Sequence, residues 1–190
     1  MGENERHWVA LARNGDRQAF RLLVNLHARP LFRLCVRITL DPGLAEDAVQ
    51  ETFYQAWRGL AEFEGRSTFG SWLHRIAVNA ALQELRRSAR HRRELTSAAV
   101  DDESEGGLLA SIEDERPGPD AGAVAAQISE HIGRHLGRLS ATERVAFVMR
   151  HYEGQSLETI GATLALNLGQ CKQAIFRAVG KLRAALDDWR

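Results

Sequence analysis

The amino-acid sequence predicts an all-α protein made of two small helical domains that a flexible acidic linker joins. Apolar residues recur at helical spacing, and no convincing stretch alternates strictly between apolar and polar residues. Charge is also distributed unevenly along the 190 residues, a length that suits one ordinary domain or two small ones. We therefore expect domains at residues 1–93 and 124–190, with the linker at residues 94–123.

The predicted linker differs in composition from the segments on either side. Residues 94–120 carry nine acidic residues against one basic residue, Arg116, which gives them a formal charge of −8. Glycines and the Pro-Gly-Pro at residues 117–119 add breaks to regular structure. High net charge with few aromatic residues is typical of a flexible linker. Because the formal charge of the whole chain is zero, the rest of the chain carries +8 and forms two basic pieces.

The N-terminal piece divides into helices at capping residues and helix breakers. Asp16 is expected to cap a helix that ends at Ala28, and Pro30 is expected to begin a second helix. Further helices are predicted at about residues 44–60 and 69–90 from their apolar periodicity.

The C-terminal helices have the spacing of a helix-turn-helix. Ser140 and Glu143 can form a capping box ahead of one helix, which Gly154 ends. Ser156 is expected to cap a short helix, and Asn167 to open a longer one after a tight turn. Such a pair of helices favours DNA binding, with the second helix in the major groove. A plain helical hairpin with a solvated basic face is the alternative.

The second helix of this pair has an apolar arc and a polar arc. Its predicted buried side consists of Cys171, Ile175, Ala178, Val179, Leu182 and Leu186. The opposite side carries Gln173, Phe176 and Arg177, with Lys172 at its edge. Basic side chains can donate to guanine or phosphate, Gln can pair with adenine, and an aromatic ring can contact a thymine methyl group. Gly161 in the first helix is expected to let the two helices approach closely.

The helix at residues 69–90 predicts a second nucleic-acid surface. One stripe of this helix carries Trp72, Arg75, Asn79, Gln83, Arg86 and Arg90. Six arginines and one acid, Glu84, lie between His74 and Arg93. Arginines hold phosphates, aromatic rings stack on unpaired bases and amides read base edges, so this stripe suits single-stranded nucleic acid. The alternative is a solvated helix face with Trp72 in the core.

The preceding helix has an acidic face that includes Asp47, Gln50 and Glu51. An acidic face beside a basic one would repel DNA, so we expect it to contact a protein surface. An ordinary amphipathic helix would show the same pattern.

Other classes of function lack support in the sequence. Cys35 and Cys171 have apolar neighbours and are predicted to be core residues. No Cys or His lies at metal-ligand spacing, and no nucleophile–base pair or phosphate loop is found, so we expect no metal, no cofactor, no small-molecule substrate and no enzyme. No apolar run approaches the roughly 18 residues of a membrane span, and the N-terminal segment is polar, so we expect a cytoplasmic protein.

Two parts of the sequence resemble the extracytoplasmic-function (ECF) sigma factors of bacteria. The strings AEDAVQETFYQAWRGL and FGSWLHRIAVNAALQELRR, with D-x-x-Q-E-x-F and F-x-x-W-L-x-R-I-A-x-N, are similar to the sigma-2 domain of that family. The string LSATERVAFVMRHYEGQSLETIGATLALNLGQCKQAIFRAVGKLRAAL is similar to the sigma-4 domain. The resemblance implies a non-enzymatic subunit that brings RNA polymerase to a promoter and helps to open the DNA.

The resemblance also implies roles for individual residues. The resemblance implies that Asp47, Gln50 and Glu51 contact the coiled-coil clamp of the polymerase β′ subunit. A pocket for a flipped-out base of the −10 element, with the backbone contacts beside it, falls to Phe63, Gly65, Arg66, Ser67, Arg75, Asn79, Gln83, Arg86, Arg87 and Arg90. Contact with the −35 element and its backbone falls to Arg150, Ser156, Glu158, Lys172, Gln173, Phe176 and Arg177. The implied partners are core polymerase through its β′ clamp and β flap, promoter DNA, and an anti-sigma factor that is often membrane-anchored.

The second reader helix departs from the family pattern. Residues 167–174 read NLGQCKQA where the family often has SVGTVKSR, so the −35 preference is not carried over. Ala165 stands where the turn often has Gly, and a positive φ there would be strained. Two other functions stay open: a stand-alone helix-turn-helix regulator that binds duplex DNA as a dimer, and an interaction module whose basic faces contact a protein.

Overall fold

The structure is a computed structural model that describes the backbone of residues 2–96 and 135–187. These ranges contain helices and no strands, which confirms the all-α fold class. They divide into two compact units, one mainly N-terminal and one mainly C-terminal. Within them, no helix has the length and apolar character needed to cross a membrane. Almost all of the predicted linker at residues 94–123 lies outside the described residues.

The N-terminal unit consists of four α-helices and one short 3-10 turn. The helices are α1 Glu3–Arg13, α2 Arg17–Thr39, α3 Pro42–Gly59 and α4 Phe69–Thr96, and the 3-10 turn is Leu60–Glu62. The long helix α2 packs against both α1 and α4. The predicted cap of α2 is confirmed, because Asp16 Oδ1 accepts hydrogen bonds from the backbone N–H groups of Gln18 at 2.8 Å and Ala19 at 3.1 Å.

The predicted helix boundary at Pro30 is wrong, since α2 continues through this residue. Proline lacks the N–H that would bond to the carbonyl of Leu26, and a proline inside a helix costs about 3 kcal/mol. Leu26 and Pro30 are both exposed, so water can bond to that carbonyl. Leu23, Leu31 and Leu34 flank the proline and are fully buried. Burying each leucine stabilises the fold by about 1.5–3 kcal/mol, which together exceeds the cost of the proline.

One side of α4 packs closely against α2. Ala77 and Ala81 are completely buried, and their small side chains allow the two helices to approach. The Cys35 thiol of α2 reaches to 4.0 Å from the Ala77 carbonyl oxygen. The helix continues to Thr96, beyond its predicted end near residue 90.

Between residues 138 and 187, the C-terminal unit has three helices in the predicted order. They are α5 Ala141–His151, α6 Leu157–Leu164 and α7 Leu168–Asp187. The capping box of α5 is confirmed: the Glu143 N–H donates to Ser140 Oγ at 3.3 Å, and the Ser140 N–H donates to Glu143 Oε2 at 3.0 Å.

The helix-turn-helix is formed by α6, the turn after it and α7. Ser156 Oγ accepts from a backbone N–H of α6 at 3.1 Å, and Asn167 exchanges hydrogen bonds with Gln170 at the start of α7 at 2.9 and 3.0 Å. Both predicted caps are therefore confirmed. Gly154 ends the preceding helix with a φ of 62°. Ala165 has a φ of 54°, so the turn does place a non-glycine residue in the left-handed region.

Gly161 is required by the turn rather than by the facing helix. A Cβ atom at this position would lie 2.7 Å from the carbonyl oxygen of Leu166. The Gly161 carbonyl accepts a hydrogen bond from the Leu166 N–H at 2.8 Å, which holds the turn against α6. The atom that lies close to Gly161 therefore belongs to the turn, whereas the sequence predicted an approach of the second helix.

We expect Gly161→Ala to destabilise the C-terminal unit by more than about 1 kcal/mol, because the new methyl group would meet a backbone oxygen that cannot rotate away. Gly180 is the matched control, since nothing lies within 4 Å of a Cβ atom there. Gly180→Ala should keep or raise stability, because alanine is favoured over glycine inside a helix by about 0.5–1 kcal/mol. Thermal unfolding followed by circular dichroism measures both, and equal midpoints would contradict this account of the turn.

Candidate nucleic-acid and protein interfaces

A cavity of about 440 Å³ lies between the loop that precedes α4 and the start of α4. Its lining consists of Glu62, Phe63, Glu64, Gly65, Arg66, Ser67, Trp72 and Arg75. The resemblance implies a base pocket at residues 63 and 65–67 and a backbone contact at Arg75. The structure brings all of them to one cavity, and we call it the first cavity.

Aromatic rings form one wall of the first cavity. The ring centroids of Phe63 and Trp72 are 5.0 Å apart, and both rings lie within 5.8 Å of Phe69. Phe63 and Phe69 are buried, whereas Trp72 is half-buried. Trp72 therefore packs against the aromatic core on one side and lines the first cavity on the other. This position is compatible with both roles considered from the sequence, stacking on a base and packing in the core. A wall of this kind offers a stacking surface to a planar base.

The loop around the first cavity has a polar rim. Gly65 has a φ of 72°, a conformation that glycine adopts without strain. Arg66 and Glu64 form an ion pair of 2.5 Å on the surface. Such an exposed pair contributes little to stability, so the Arg66 guanidinium can exchange its partner for a phosphate at small cost.

The arginine stripe runs along the exposed side of α4. Its exposed members are Arg75, Asn79, Gln83, Arg86 and Arg90. Among the residues that the structure describes, no acid forms an ion pair with Arg75, Arg86 or Arg90, while Arg87 lies 3.6 Å from Glu84. The stripe thus carries excess positive charge that begins at the cavity. Asn79 lies one turn beyond Arg75 and outside the cavity lining.

The predicted protein-binding face of α3 is exposed at its centre. Asp47 and Gln50 are exposed, and Glu51 is half-buried. Tyr54, which was not among the predicted residues, is 57% exposed on the same face. The Arg58 guanidinium lies 5.6 Å from the centre of the Tyr54 ring. The spacing of four residues from Gln50 could have identified Tyr54, because such residues lie together on a helix.

The reader helix α7 has the two sides that its sequence predicts. Lys172, Gln173, Phe176 and Arg177 are exposed, and the Phe176 side chain is 78% exposed. On the other side, Cys171 and Ala178 are fully buried and Ile175, Val179 and Leu182 are partly buried. The Leu186 side chain lies outside the described residues. An exposed ring beside basic side chains is suited to contact a base edge in the major groove.

The start of α6 gathers the other predicted DNA-backbone residues. Hydrogen bonds from its own backbone N–H and from Ser156 hold the pKa of Glu158 below its usual range, and the charges of Arg150 and Lys172 act in the same direction. Arg150 donates to the Gln155 carbonyl at 2.9 Å. Two cations beside a helix N-terminus form a surface suited to a phosphate.

An ion pair connects the reader helix to α5. Lys181 Nζ donates to Glu143 Oε2 at 2.7 Å, and Glu143 is only 7% exposed. Burial alone would raise the pKa of Glu143, but hydrogen bonds from Lys181 and Ser140 lower it below its ordinary value. The ionised form of Glu143 therefore stabilises the docking of α7.

The two cysteines are core residues, as predicted. Both are completely buried, and burial raises the pKa of Cys35 to about 12 and also raises that of Cys171. Since the thiolate is the reactive form of cysteine, both thiols are held in an unreactive state.

Comparison with known proteins identifies both units. Residues 23–91 match the model of sigma-70 region 2, and residues 135–184 match that of sigma-70 region 4. The RNA polymerase sigma-H factor of Pseudomonas aeruginosa is 32% identical over 189 residues, which cover 97% of this chain and 93% of that protein. The ECF RNA polymerase sigma-E factor of Escherichia coli K12 is 32% identical over 182 residues, which cover 95% and 91%.

Two solved structures share the fold. One is CnrH in complex with the cytosolic domain of CnrY, with a TM-score of 0.64, 25% identity and coverage of 98% of this chain and 99% of that one. The other is the sigma factor RpoE in complex with the anti-sigma factor NepR from Bartonella quintana, with a TM-score of 0.65, 22% identity and coverage of 90% and 98%.

The matched regions define a transcription initiation factor with one sigma region in each unit. Within that class, the chain belongs to the extracytoplasmic-function group of RNA polymerase sigma factors.

We expect Glu143→Gln to lower stability at pH 7, because the neutral amide loses the ion pair with Lys181. A carboxyl whose pKa is lowered by folding stabilises the protein above its unfolded pKa of about 4.3, and this contribution disappears as the pH falls through the folded value. The stability difference between wild type and variant should therefore shrink below about pH 4. Urea unfolding at several pH values measures this, with Lys181→Met as the reciprocal variant. A difference that stays constant down to pH 3 would contradict the role of the ion pair.

Proposed function

We propose that this sigma factor binds core RNA polymerase through α3, reads the −10 element with the first cavity and α4, and reads the −35 element with α7. The observation that carries the proposal is the first cavity, where an aromatic wall and a row of exposed arginines meet. That combination suits an unpaired base with its phosphates. No covalent step, cofactor or small-molecule substrate enters this function.

The first cavity takes one base of the melted −10 element. Trp72 and Phe63 supply the stacking surface, and Arg66 and Arg75 stand at the rim for the adjacent phosphates. The side chains that continue along the strand are Asn79, Gln83, Arg86, Arg87 and Arg90. Binding an extruded base stabilises the open form of the DNA, and the equilibrium shifts toward melting.

The C-terminal unit binds duplex DNA at the −35 element. Gln173, Phe176 and Arg177 extend from α7 toward base edges in the major groove. Arg150 and Lys172, held beside Ser156 and Glu158, contact the phosphate backbone at the start of α6. The phosphate contacts fix the register, while the α7 contacts select the sequence.

Core polymerase allows the N-terminal and C-terminal units, which each bind DNA weakly, to act together as one selective factor. Asp47, Gln50, Glu51 and Tyr54 form the face that docks on the β′ clamp, and the C-terminal unit docks on the β flap. Once both units are held on one surface, binding of the second promoter element becomes intramolecular and is strengthened by a high effective concentration. The chain works in the cytoplasm, where it meets polymerase and promoter DNA.

An anti-sigma factor controls access to these surfaces. CnrH was solved in complex with the cytosolic domain of CnrY, and RpoE in complex with the anti-sigma factor NepR. A binding partner with a cytosolic domain fits an anti-sigma factor that is anchored in the membrane.

We expect the double variant Gln50→Ala, Glu51→Ala to bind core polymerase about tenfold more weakly, because it removes two polar side chains from the docking face. Its binding to duplex −35 DNA should be unchanged. Gel filtration and fluorescence titration with core polymerase measure the effect. Glu3→Ala with Gln18→Ala is the matched control, since both residues are exposed on other helices. A wild-type chain that fails to co-elute with core would favour a stand-alone DNA-binding regulator.

We expect Asn79→Ala to reduce selectivity at one position of the −10 element by about tenfold, since it removes an amide that reads a base edge. Single-round transcription from templates that carry each base at each −10 position identifies the affected position. Asn25→Ala, an exposed amide on α2, is the control. Unchanged selectivity in Asn79→Ala would contradict its assignment as a base-reading residue.

A further inference from the structure

A second cavity, of about 260 Å³, lies between α1 and the loop that forms the first cavity. Its lining consists of Arg6, Val9, Ala10, Arg13, Phe63, Gly65 and Ser67. Phe63, Gly65 and Ser67 line both cavities. The loop therefore separates the two cavities, and each cavity is large enough to bind part of a ligand.

The α1 side of the second cavity is one face of a helix. Arg6, Val9, Ala10 and Arg13 follow one another at spacings of three, one and three residues, which places them together. Val9 is buried and supplies an apolar surface, whereas Ala10 is exposed. Arg13 reaches the Ala61 carbonyl at 3.5 Å, so α1 is tied to the chain just before the loop.

The charge of this second cavity is positive. Within the described residues, the Arg6 side chain has no ion pair or hydrogen bond, and Arg13 has only the carbonyl of Ala61. No acid of the described ranges lines this cavity, and two of the acids near it are paired elsewhere, Glu5 with His27 at 2.9 Å and Glu64 with Arg66 at 2.5 Å. Two guanidinium groups beside an apolar surface are suited to a phosphate with a base or sugar attached.

We propose that the second cavity binds the nucleotide adjacent to the one held in the first cavity, on the same unpaired DNA strand. The inference rests on the proposed function, because it needs a base in the first cavity. A strand anchored there must pass its next nucleotide beside the shared loop wall. Arg6 and Arg13 bind the phosphate, and the base covers Val9, Ala10 and Phe63. The cavity volume of about 260 Å³ is below the roughly 300–1,000 Å³ of pockets for drug-sized ligands, which suits the base of one nucleotide with its phosphate at the rim.

The test uses the holoenzyme formed from core polymerase and the full chain, with fluorescent single-stranded oligonucleotides of the non-template −10 strand. Arg6→Ala should weaken binding about fivefold and reduce the salt slope by about one, as loss of a phosphate contact does. Arg21→Ala removes the same charge from an exposed site on α2 and should change binding less than twofold. Equal effects of the two variants would show general electrostatic attraction and overturn the proposal.

A filling variant tests occupancy of the cavity without a change of charge. Ala10 is exposed on the cavity wall, so Ala10→Trp should fold normally and occupy the space. We expect it to weaken binding of the intact oligonucleotide about fivefold, and this loss should vanish when the adjacent nucleotide is made abasic. Wild-type affinity in Ala10→Trp, or a loss that persists with the abasic strand, would overturn the inference.

The same titrations separate this inference from the function on which it rests. If wild type and Asn79→Ala bind every oligonucleotide alike, the proposed −10 reading fails. If they differ while Arg6→Ala and Ala10→Trp behave as wild type, only the second nucleotide site fails.

Discussion

The packing of α4 against α2 is the interaction on which the DNA surfaces of the N-terminal unit depend. Ala77 and Ala81 allow the two helices to approach closely, and the buried thiol of Cys35 fits beside the α4 backbone. Because one side of α4 is fixed in this way, helical pitch places Arg75 and Asn79 on the opposite, exposed side. The same packing fixes the start of α4 beside the loop. Helix α4 therefore holds both the first cavity and the arginine stripe in position.

In the C-terminal unit, polar as well as apolar interactions hold the reader helix α7 in position. The Gly161 turn fixes α6 relative to the start of α7, and the Glu143–Lys181 ion pair holds α7 against α5. Glu143 is buried, so its carboxylate would be costly to leave unpaired, whereas Lys181 reaches it from the surface. The exposed ring of Phe176 is thereby kept in a defined position, although it has almost no packing of its own.

Short sequence patterns correctly predicted the helix caps, which depend on interactions between neighbouring residues. The caps at Asp16, Ser140 and Asn167 formed as expected, because each needs only backbone groups within three residues. The predicted break at Pro30 was wrong because the leucines that flank it are buried by packing against other helices, and no local rule contains that energy. The second cavity could not be predicted either, since its walls come from α1 and from a loop about fifty residues later in the chain.

The most direct test of the account is to sequence the 5′ ends of transcripts that core RNA polymerase makes from genomic DNA with and without this chain. Each unit alone is expected to bind DNA weakly, and selectivity should arise only when polymerase holds both. The account predicts start sites that depend on the chain and that share two conserved elements, one near −10 and one near −35. Transcripts that are unchanged by addition of the chain, or start sites without a common pair of elements, would contradict it.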